Sequence, residues 1–293
     1  MNLYNQIKHF SKKDLPFNKL MKSFWNENGF LIIDNFYSNS ECDNLKLRAL
    51  ELVKNFDPYL DKSIFDTKDQ NIVKDKYFID SGDKIRFFFE QGAFDKDGSL
   101  KNSVELLINK IGHAIHDLDP IFYKFSHKKD LQDIANGIDI TNPKLLQSMY
   151  IFKQPKIGGE VVPHQDSTFI YTKPESVVGF WVALEDATKD NGCMLVNKGG
   201  HKDTLRKIFK RKNDELIMET LDEKPFKKMD TILEAKKGTL ILLHGRLPHA
   251  SSANTSTKSR HAYTLHVING DYEYPKFNWL QRSKNMPLKG FEN

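Results

Sequence analysis

The chain has little cysteine, no membrane-length apolar run and no apolar leader, and each absence excludes a class of protein. Cys42 and Cys193 are the only cysteines in 293 residues, which argues against a disulfide framework and for a reducing compartment. No apolar run approaches the roughly 20 residues of a membrane-spanning helix. Residues 1–10 lack the apolar core of a signal peptide, and the closing Phe-Glu-Asn is not the peroxisomal Ser-Lys-Leu signal. We therefore expect a cytoplasmic protein without a membrane span.

Linkers, internal repeats and low-complexity tracts are also missing from the sequence. The length allows one large domain or two small ones, and a hydrophobic content of 39%, with 21 Phe, can build a sizeable core. We therefore expect one continuous domain over residues 1–293, with a helix-rich part over 1–140 and a strand-rich core over 141–293.

Helical patterns dominate the first part of the chain. Ser38 and Glu41 form a capping box that predicts the start of a helix. Its apolar positions recur at helical spacing, namely Leu45, Ala49, Leu52, Val53 and Phe56. A second stripe at this spacing predicts another helix over residues 104–118. Between them, residues 84–90 (KIRFFFE) are typical of a strand.

From about residue 145 the pattern changes to short apolar runs separated by turns. The predicted strands cover residues 146–152, 177–184, 193–196, 238–243 and 262–268. Asn191-Gly192 is a strong tight-turn signal. Many short strands with such punctuation indicate a sandwich or barrel.

Residues 163–166 (PHQD) contain the pattern of greatest chemical interest. In a strand, positions i and i+2 point to the same side, so His164 and Asp166 can converge on one metal ion. The apolar run at 238–243 is followed by His244 and His249, and both are candidates for a third ligand. Two imidazoles and a carboxylate can occupy one face of octahedral iron(II) and leave positions open for a cosubstrate and dioxygen.

Arg260 follows His249 by eleven residues, just before a predicted strand. A guanidinium near such an iron site is a suitable clamp for a carboxylate. Zinc also accepts His and Asp, so a zinc-dependent hydrolase is an alternative, although hydrolysis requires no dicarboxylate clamp. A catalytically silent binding protein is a further alternative. For a metal site of this kind we expect a β-rich α+β fold, a double-stranded β-helix (jelly roll) with the N-terminal helices packed on one sheet.

The sequence resembles the phytanoyl-CoA dioxygenase family of iron(II)- and 2-oxoglutarate-dependent oxygenases over about residues 24–280. The matching segments, in chain order, are KIRFFFE (84–90), NKIGHA (109–114), QSMYIFKQ (147–154), GGE (158–160), PHQD (163–166), EDAT (185–188), NGC (191–193) and NWLQ (278–281). So many matches in order make a chance resemblance implausible.

This resemblance implies roles for individual residues. It favours His249 over His244 as the third iron ligand and makes Arg260 the partner of the distal carboxylate of 2-oxoglutarate. Ser251 can add a hydroxyl to the same carboxylate. Three further residues are implied to line the cosubstrate pocket, namely Lys110, placed on the predicted 104–118 helix, and Met149 and Trp181. The remaining histidines, His201 and His266 among them, are expected to be structural.

The chemistry implied is hydroxylation of a small organic substrate, with 2-oxoglutarate and O2 consumed and succinate and CO2 released. The family includes members that act on fatty acyl-CoA and members that act on other small molecules. The net charge is +5, and a basic cluster stands out at residues 206–212 (RKIFKRK). It is interpreted as a solvated loop or helix face, or alternatively as a rim for an anionic, acyl-CoA-like substrate. No motif predicts nucleic-acid binding.

Overall fold

A computed structural model describes residues 7–60, 62–65, 72–73, 75–213 and 215–292 of the chain. Its strands are β1 (Phe10–Ser11), β2 (Phe30–Asp34), β3 (Ile72–Val73), β4 (Ile85–Phe89), β5 (Ile108–His113), β6 (Pro143–Ile151), β7 (Val161–His164), β8 (Val178–Ala183), β9 (Met194–Val196), β10 (Lys207–Lys212), β11 (Glu215–Thr220), β12 (Thr231–Leu233), β13 (Leu240–His244), β14 (His249–Ser251) and β15 (Ala262–Asn269). Its helices are α1 (Lys19–Asn28), α2 (Asn39–Lys54), α3 (Lys76–Ile79), α4 (Val104–Leu107), α5 (Ile115–Leu118), α6 (Pro120–Ser126) and α7 (Lys129–Gly137).

The strands form three sheets. The main sheet has the order β1-β2-β13-β8-β15-β6-β5-β4, so strands from both parts of the chain pair within it. The minor sheet has the order β12-β9-β14-β7, and a three-stranded sheet has the order β10-β11-β3. The predicted jelly-roll fold is confirmed, and so are the strand at 84–90 and the five predicted strands of the C-terminal part.

Alternation along the central strands gives the main sheet two different faces. On β13, Leu240 and Leu242 join the cluster that contains the helices, whereas Ile241 and Leu243 join the cluster shared with the minor sheet. Successive side chains of a strand point to opposite faces, so both faces of these strands are buried. The space between the main and minor sheets is where the functional side chains lie.

The N-terminal helices cover the other face of the main sheet, as predicted. Helix α2 begins with the predicted capping box, in which Ser38 accepts from the Glu41 backbone and Glu41 accepts from the Ser38 backbone. Its residues Leu45, Ala49 and Val53 are fully buried against sheet and helix side chains. Burial of each such side chain contributes about 1–3 kcal/mol, so packing rather than helix propensity holds α2 in place.

The prediction of one helix over residues 104–118 is wrong. The chain there forms the single turn α4, then strand β5, then the single turn α5. Strand β5 pairs with β4 on one side and with β6 on the other. Ile108 and Ile111 are β-branched, and this favours a strand once neighbours are available on both sides. Long-range pairing therefore overrides the local helical spacing.

Candidate metal centre and adjoining cavity

Two antiparallel strands of the minor sheet bring the two histidines of the candidate metal centre together. In the register of β7 and β14, His164 lies directly opposite His249. Their ring centroids are 4.2 Å apart. Asp166 is not on the strand, contrary to the expectation from sequence, but begins a short 3-10 turn over residues 166–168. The turn, rather than strand alternation, therefore directs this carboxylate toward the two imidazoles.

The ligand atoms of His164, Asp166 and His249 all lie within 4.8 Å of one another. The Oδ1 atom of Asp166 is 3.8 Å from Nε2 of His164 and 3.6 Å from Nε2 of His249. Both distances are longer than a hydrogen bond. They leave room for a small cation between the three side chains.

Both imidazoles are held with Nε2, rather than Nδ1, toward the candidate metal centre. Nδ1 of His164 lies 2.9 Å from the Val162 carbonyl oxygen, and Nδ1 of His249 lies 3.0 Å from that of Leu247. A carbonyl only accepts, so each Nδ1 carries a proton, and in this tautomer of the neutral imidazole the Nε2 lone pair faces the centre. Burial and the nearby His249 lower the pKa of His164 to about 4, which keeps its imidazole neutral.

Asp166 stays ionised in this buried setting. Burial acts to raise the pKa of its carboxyl group, but His266 and His249 outweigh burial and hold the pKa well below its usual range. The Nε2 atom of His266 lies 3.3 Å from Oδ2 of Asp166. Gly179 faces the same oxygen, and a Cβ at that position would lie 2.9 Å from it. Gly179 therefore provides the space that Asp166 needs, and His266 orients its carboxylate.

His244 does not take part in this centre. It ends strand β13, and its Nδ1 accepts from the Arg246 backbone N–H at 3.1 Å. Its ring contacts Trp25 and His201 at centroid distances of 5.9 and 5.0 Å. Burial and His201 lower its pKa to about 3. The structure therefore brings His249, and not His244, to His164 and Asp166.

A cavity extends from the three side chains and is lined by Phe65, Glu90, Asn109, Lys110, Met149, Ile151, Lys153, Gly159, Val161, Trp181, Met194, Leu243, Ala250, Ser251, Arg260, Thr264 and His266. All five residues implied to hold the cosubstrate are therefore in its wall. His201 lies outside it, whereas His266, expected to be structural, lines it. Thr264 and His266 lie two residues apart on β15 and therefore face the same side of the strand. This spacing is the sequence signal that could have placed His266 in the cavity wall.

Arg260 is a buried cation with two guanidinium nitrogens unsatisfied among the described residues. Its side chain is 3% exposed, and Nε and Nη1 make no hydrogen bond within the described part of the chain. The guanidinium lies 5.5 Å from the centre of the Trp181 ring. Burial lowers its pKa to about 10, so it remains charged at neutral pH. A buried guanidinium with free donors costs free energy unless an anion meets it.

Lys110 reaches the cavity from strand β5, which corrects its predicted location on a helix. It is 4% exposed, and its ammonium lies 3.2 Å from the centre of the Phe65 ring. Burial lowers its pKa well below the usual range. Met149 on β6 is its neighbour across the sheet, since Lys110 pairs with Ile151 and Gly112 with Met149.

Two charged residues of the wall were missed by the sequence analysis, although both lie in segments that carry the family resemblance. Lys153 follows β6, and its Nζ donates to Oγ of Ser251 and to the Gly159 carbonyl, each at 2.8 Å. Glu90 is 3% exposed, and its Oε2 accepts from the Gly159 backbone at 3.3 Å. Burial raises the pKa of Glu90. Charge alone in the sequence does not distinguish such residues from surface ones.

Residues 207–212 of the basic cluster form strand β10, with Arg206 just before it, rather than a loop or helix face as expected, and none of the cluster lines the cavity. Arg206 is buried and forms ion pairs with Asp222 and Asp203. Lys210 pairs with Glu219 on the neighbouring strand at 2.6 Å. The charges of Arg206 and Lys210 are therefore balanced locally.

The helices within the described ranges are all too short or too polar to cross a membrane.

Comparison with known proteins places this geometry in context. A sequence profile described as phytanoyl-CoA dioxygenase (PhyH) matches residues 25–262. A phytanoyl-CoA dioxygenase of Arabidopsis thaliana is 45% identical over 262 residues, which cover 89% of this chain and 92% of that protein. Phytanoyl-CoA dioxygenase domain-containing protein 1 of Danio rerio is 42% identical over 273 residues, covering 89% of this chain and 94% of that protein.

Among solved structures, EctD from S. alaskensis with bound Fe has a TM-score of 0.64 at 18% identity, with 95% of this chain and 88% of that chain covered. The same protein with 2-oxoglutarate and 5-hydroxyectoine has a TM-score of 0.62 at 18% identity, with 94% and 83% covered. At this identity the likeness concerns the fold, which it supports along nearly the whole chain.

Proposed function

This chain belongs to the phytanoyl-CoA dioxygenase family, and from that premise we propose that it is an iron(II)- and 2-oxoglutarate-dependent dioxygenase that hydroxylates a small organic substrate. His164, Asp166 and His249 are the proposed iron ligands. The proposed 2-oxoglutarate site consists of Lys110, Met149, Trp181, Ser251 and Arg260. We propose a single catalytic domain over residues 1–293 acting in the cytoplasm.

The donor set supports iron. Each histidine offers an Nε2 lone pair while its Nδ1 is held by a backbone carbonyl, and the carboxylate is ionised. Two imidazoles and one carboxylate fill one face of an octahedron. Iron(II) with 2-oxoglutarate supplies the oxygen chemistry when bound, and succinate and CO2 are its by-products. The protein binds, orients and shields the reactants.

The observation that carries the proposal is the buried guanidinium of Arg260 in the wall of the same cavity, whose Nε and Nη1 have no hydrogen-bond partner among the described residues. A buried guanidinium requires a planar anion for its free donors, and a carboxylate matches it in a bidentate pair. A dicarboxylate can therefore reach from the metal centre to Arg260. This arrangement has no purpose in a zinc hydrolase, which is why we prefer the oxygenase.

The remaining wall of the cavity is available to the prime substrate. Its apolar residues include Phe65, Ile151 and Val161, and Glu90 and Asn109 add polar groups. An anionic or acyl-CoA-like substrate is part of the proposal, as the basic cluster at residues 206–212 suggested. That cluster does not line the cavity, so it would contact only a part of the substrate that extends beyond the cavity.

The test is succinate release by purified protein with iron(II), 2-oxoglutarate and air, without any prime substrate. We expect slow succinate formation that rises when a substrate is found in a screen of candidate compounds. His164→Ala is the matched control, because it removes one proposed ligand. Protein that binds 2-oxoglutarate but releases no more succinate than this control would be a silent binding protein. Hydrolytic activity that requires only zinc, without iron(II) or 2-oxoglutarate, would instead favour the zinc-dependent hydrolase.

A further inference from the structure

Lys153 is a buried lysine whose ammonium contacts the hydroxyl of Ser251 and, among the described residues, forms no ion pair with a carboxylate. Its side chain is 3% exposed, and Nζ donates to Ser251 Oγ and to the Gly159 carbonyl. The stem is confined as well, since a Cβ on Gly192, at φ +80°, would lie 2.5 Å from Cε of Lys153. A buried cation held on a neutral hydroxyl requires an explanation, because the desolvation of the charge is not offset by such a partner alone.

We propose that Lys153 is a positioning residue that turns the Ser251 hydroxyl toward the distal carboxylate of 2-oxoglutarate. This inference rests on the proposed function. Ser251 and Arg260 both line the cavity, and both are proposed to bind that carboxylate. Lys153 lines the same cavity, and its ammonium contacts the Ser251 hydroxyl, through which we propose that it acts.

The direction of the hydrogen bond supports this role. A protonated lysine only donates, so the Ser251 oxygen accepts from Nζ and its own O–H is left to donate elsewhere. An anionic acceptor in the cavity receives that proton in a charge-assisted bond. A neutral lysine amine can instead accept a hydrogen bond from the Ser251 hydroxyl, and this turns the hydroxyl away from the cosubstrate.

The backbone of Lys153 also supports the second carboxylate-binding group. Its carbonyl oxygen accepts from the Arg260 backbone N–H at 3.2 Å and from Nδ2 of Asn254 at 3.0 Å. The same residue thus fixes the chain at Arg260 and orients the hydroxyl of Ser251. A substitution of the side chain leaves the backbone bonds available, so the two contributions are separable.

The pKa of Lys153 lies close to neutral pH. Burial and the Arg260 guanidinium lower its pKa to about 7, against the opposing effects of Glu90, Glu160 and Cys193, which face it from other segments. A bound dianion stabilises the protonated form and raises this pKa. The affinity for 2-oxoglutarate is then highest when Lys153 is protonated, and it falls as the pH rises through about 7.

The experiment is a double-mutant cycle on the iron(II)-loaded protein under anaerobic conditions, with 2-oxoglutarate as the titrant. Lys153→Met and Ser251→Ala are each expected to weaken binding about tenfold, the usual loss for a hydrogen bond to a charged group. If Lys153 acts through Ser251, the double variant is no weaker than Ser251→Ala alone. Iron affinity stays unchanged, and Lys153→Arg retains part of the cosubstrate affinity. Lys156→Met is the matched control, an exposed lysine of the same loop.

The pH profile is an independent measurement on the unaltered protein, and it remains informative if Lys153→Met folds poorly. Wild-type affinity should fall above about pH 7, whereas Lys153→Arg should stay level because a guanidinium does not titrate there. Two results overturn the inference while the proposed function stands. One is that Lys153→Met weakens 2-oxoglutarate binding as strongly in the Ser251→Ala background as in the wild type. The other is that Lys153→Met alone leaves the affinity unchanged. Wild-type protein that does not bind 2-oxoglutarate overturns both.

Discussion

Replacement of Arg260 by alanine separates the cosubstrate site from the metal site. Arg260 is 3% exposed, and its Nε and Nη1 have no partners among the described residues, so its removal breaks no hydrogen bond of these two atoms within that part of the chain. An unsatisfied buried donor costs about 1–3 kcal/mol. The variant should therefore be as stable as the wild type or slightly more stable, which is typical of a residue kept for binding.

The loss appears when 2-oxoglutarate is added. Hydrogen bonds to charged groups contribute roughly 1.5–3 kcal/mol, so Arg260→Ala should weaken 2-oxoglutarate binding about tenfold to a hundredfold. Arg260→Lys should recover only part of this, because an ammonium does not reproduce the planar fork and the contact with Trp181 at 5.5 Å.

The assay is calorimetric titration of the anaerobic, iron-loaded protein with 2-oxoglutarate, together with a separate iron titration and a thermal unfolding curve. Arg211→Ala is the matched control, since Arg211 lies on β10 away from the cavity. Unchanged cosubstrate affinity in Arg260→Ala would refute the carboxylate clamp. An equal loss of iron affinity would show that Arg260 supports the metal centre and not the cosubstrate.

Three further predictions concern the metal centre and the fold. His249→Ala should abolish iron binding, whereas His244→Ala should retain it and instead lower the melting temperature, as measured by iron titration and thermal unfolding; the reverse result would move the ligand to His244. His266→Ala should weaken iron binding about tenfold to a hundredfold, because it releases the Asp166 carboxylate that it contacts at 3.3 Å, and an unchanged iron affinity would show that the turn alone orients Asp166. Ser38→Ala should lower the free energy of unfolding by about 1 kcal/mol through loss of the α2 cap, measured by urea denaturation, with succinate release unchanged.

Several features could be predicted from short stretches of sequence. The capping box at Ser38 placed the start of α2, and short apolar runs separated by turns placed β6, β8, β9, β13 and β15. Such signals depend on side chains within one or two turns or along one strand, so a local window contains them. The chemistry of His164 with Asp166, and the need of Arg260 for an anion, likewise follow from residue type.

Other features depended on contacts between distant segments. The helical spacing at 104–118 was misleading, because Ile108 to His113 pair with β4 and β6 on both sides. Only this pairing places Lys110 on a strand that faces the cavity. Asp166 reaches the centre through a turn rather than through strand alternation.

Residue types and local patterns were enough to predict the side chains that the chemistry requires, a mostly strand-forming second half and the capped helix α2. The family resemblance favoured His249 over His244, and the register of β7 and β14 places His249 opposite His164. The tertiary structure alone shows that His266 contacts Asp166 and that Lys153 donates to Ser251. The physical reason is that strand register and burial are set by contacts between residues far apart in the chain. A histidine or lysine has the same formula in a surface loop as in the wall of a cavity, and only the neighbours that the fold supplies give it a role.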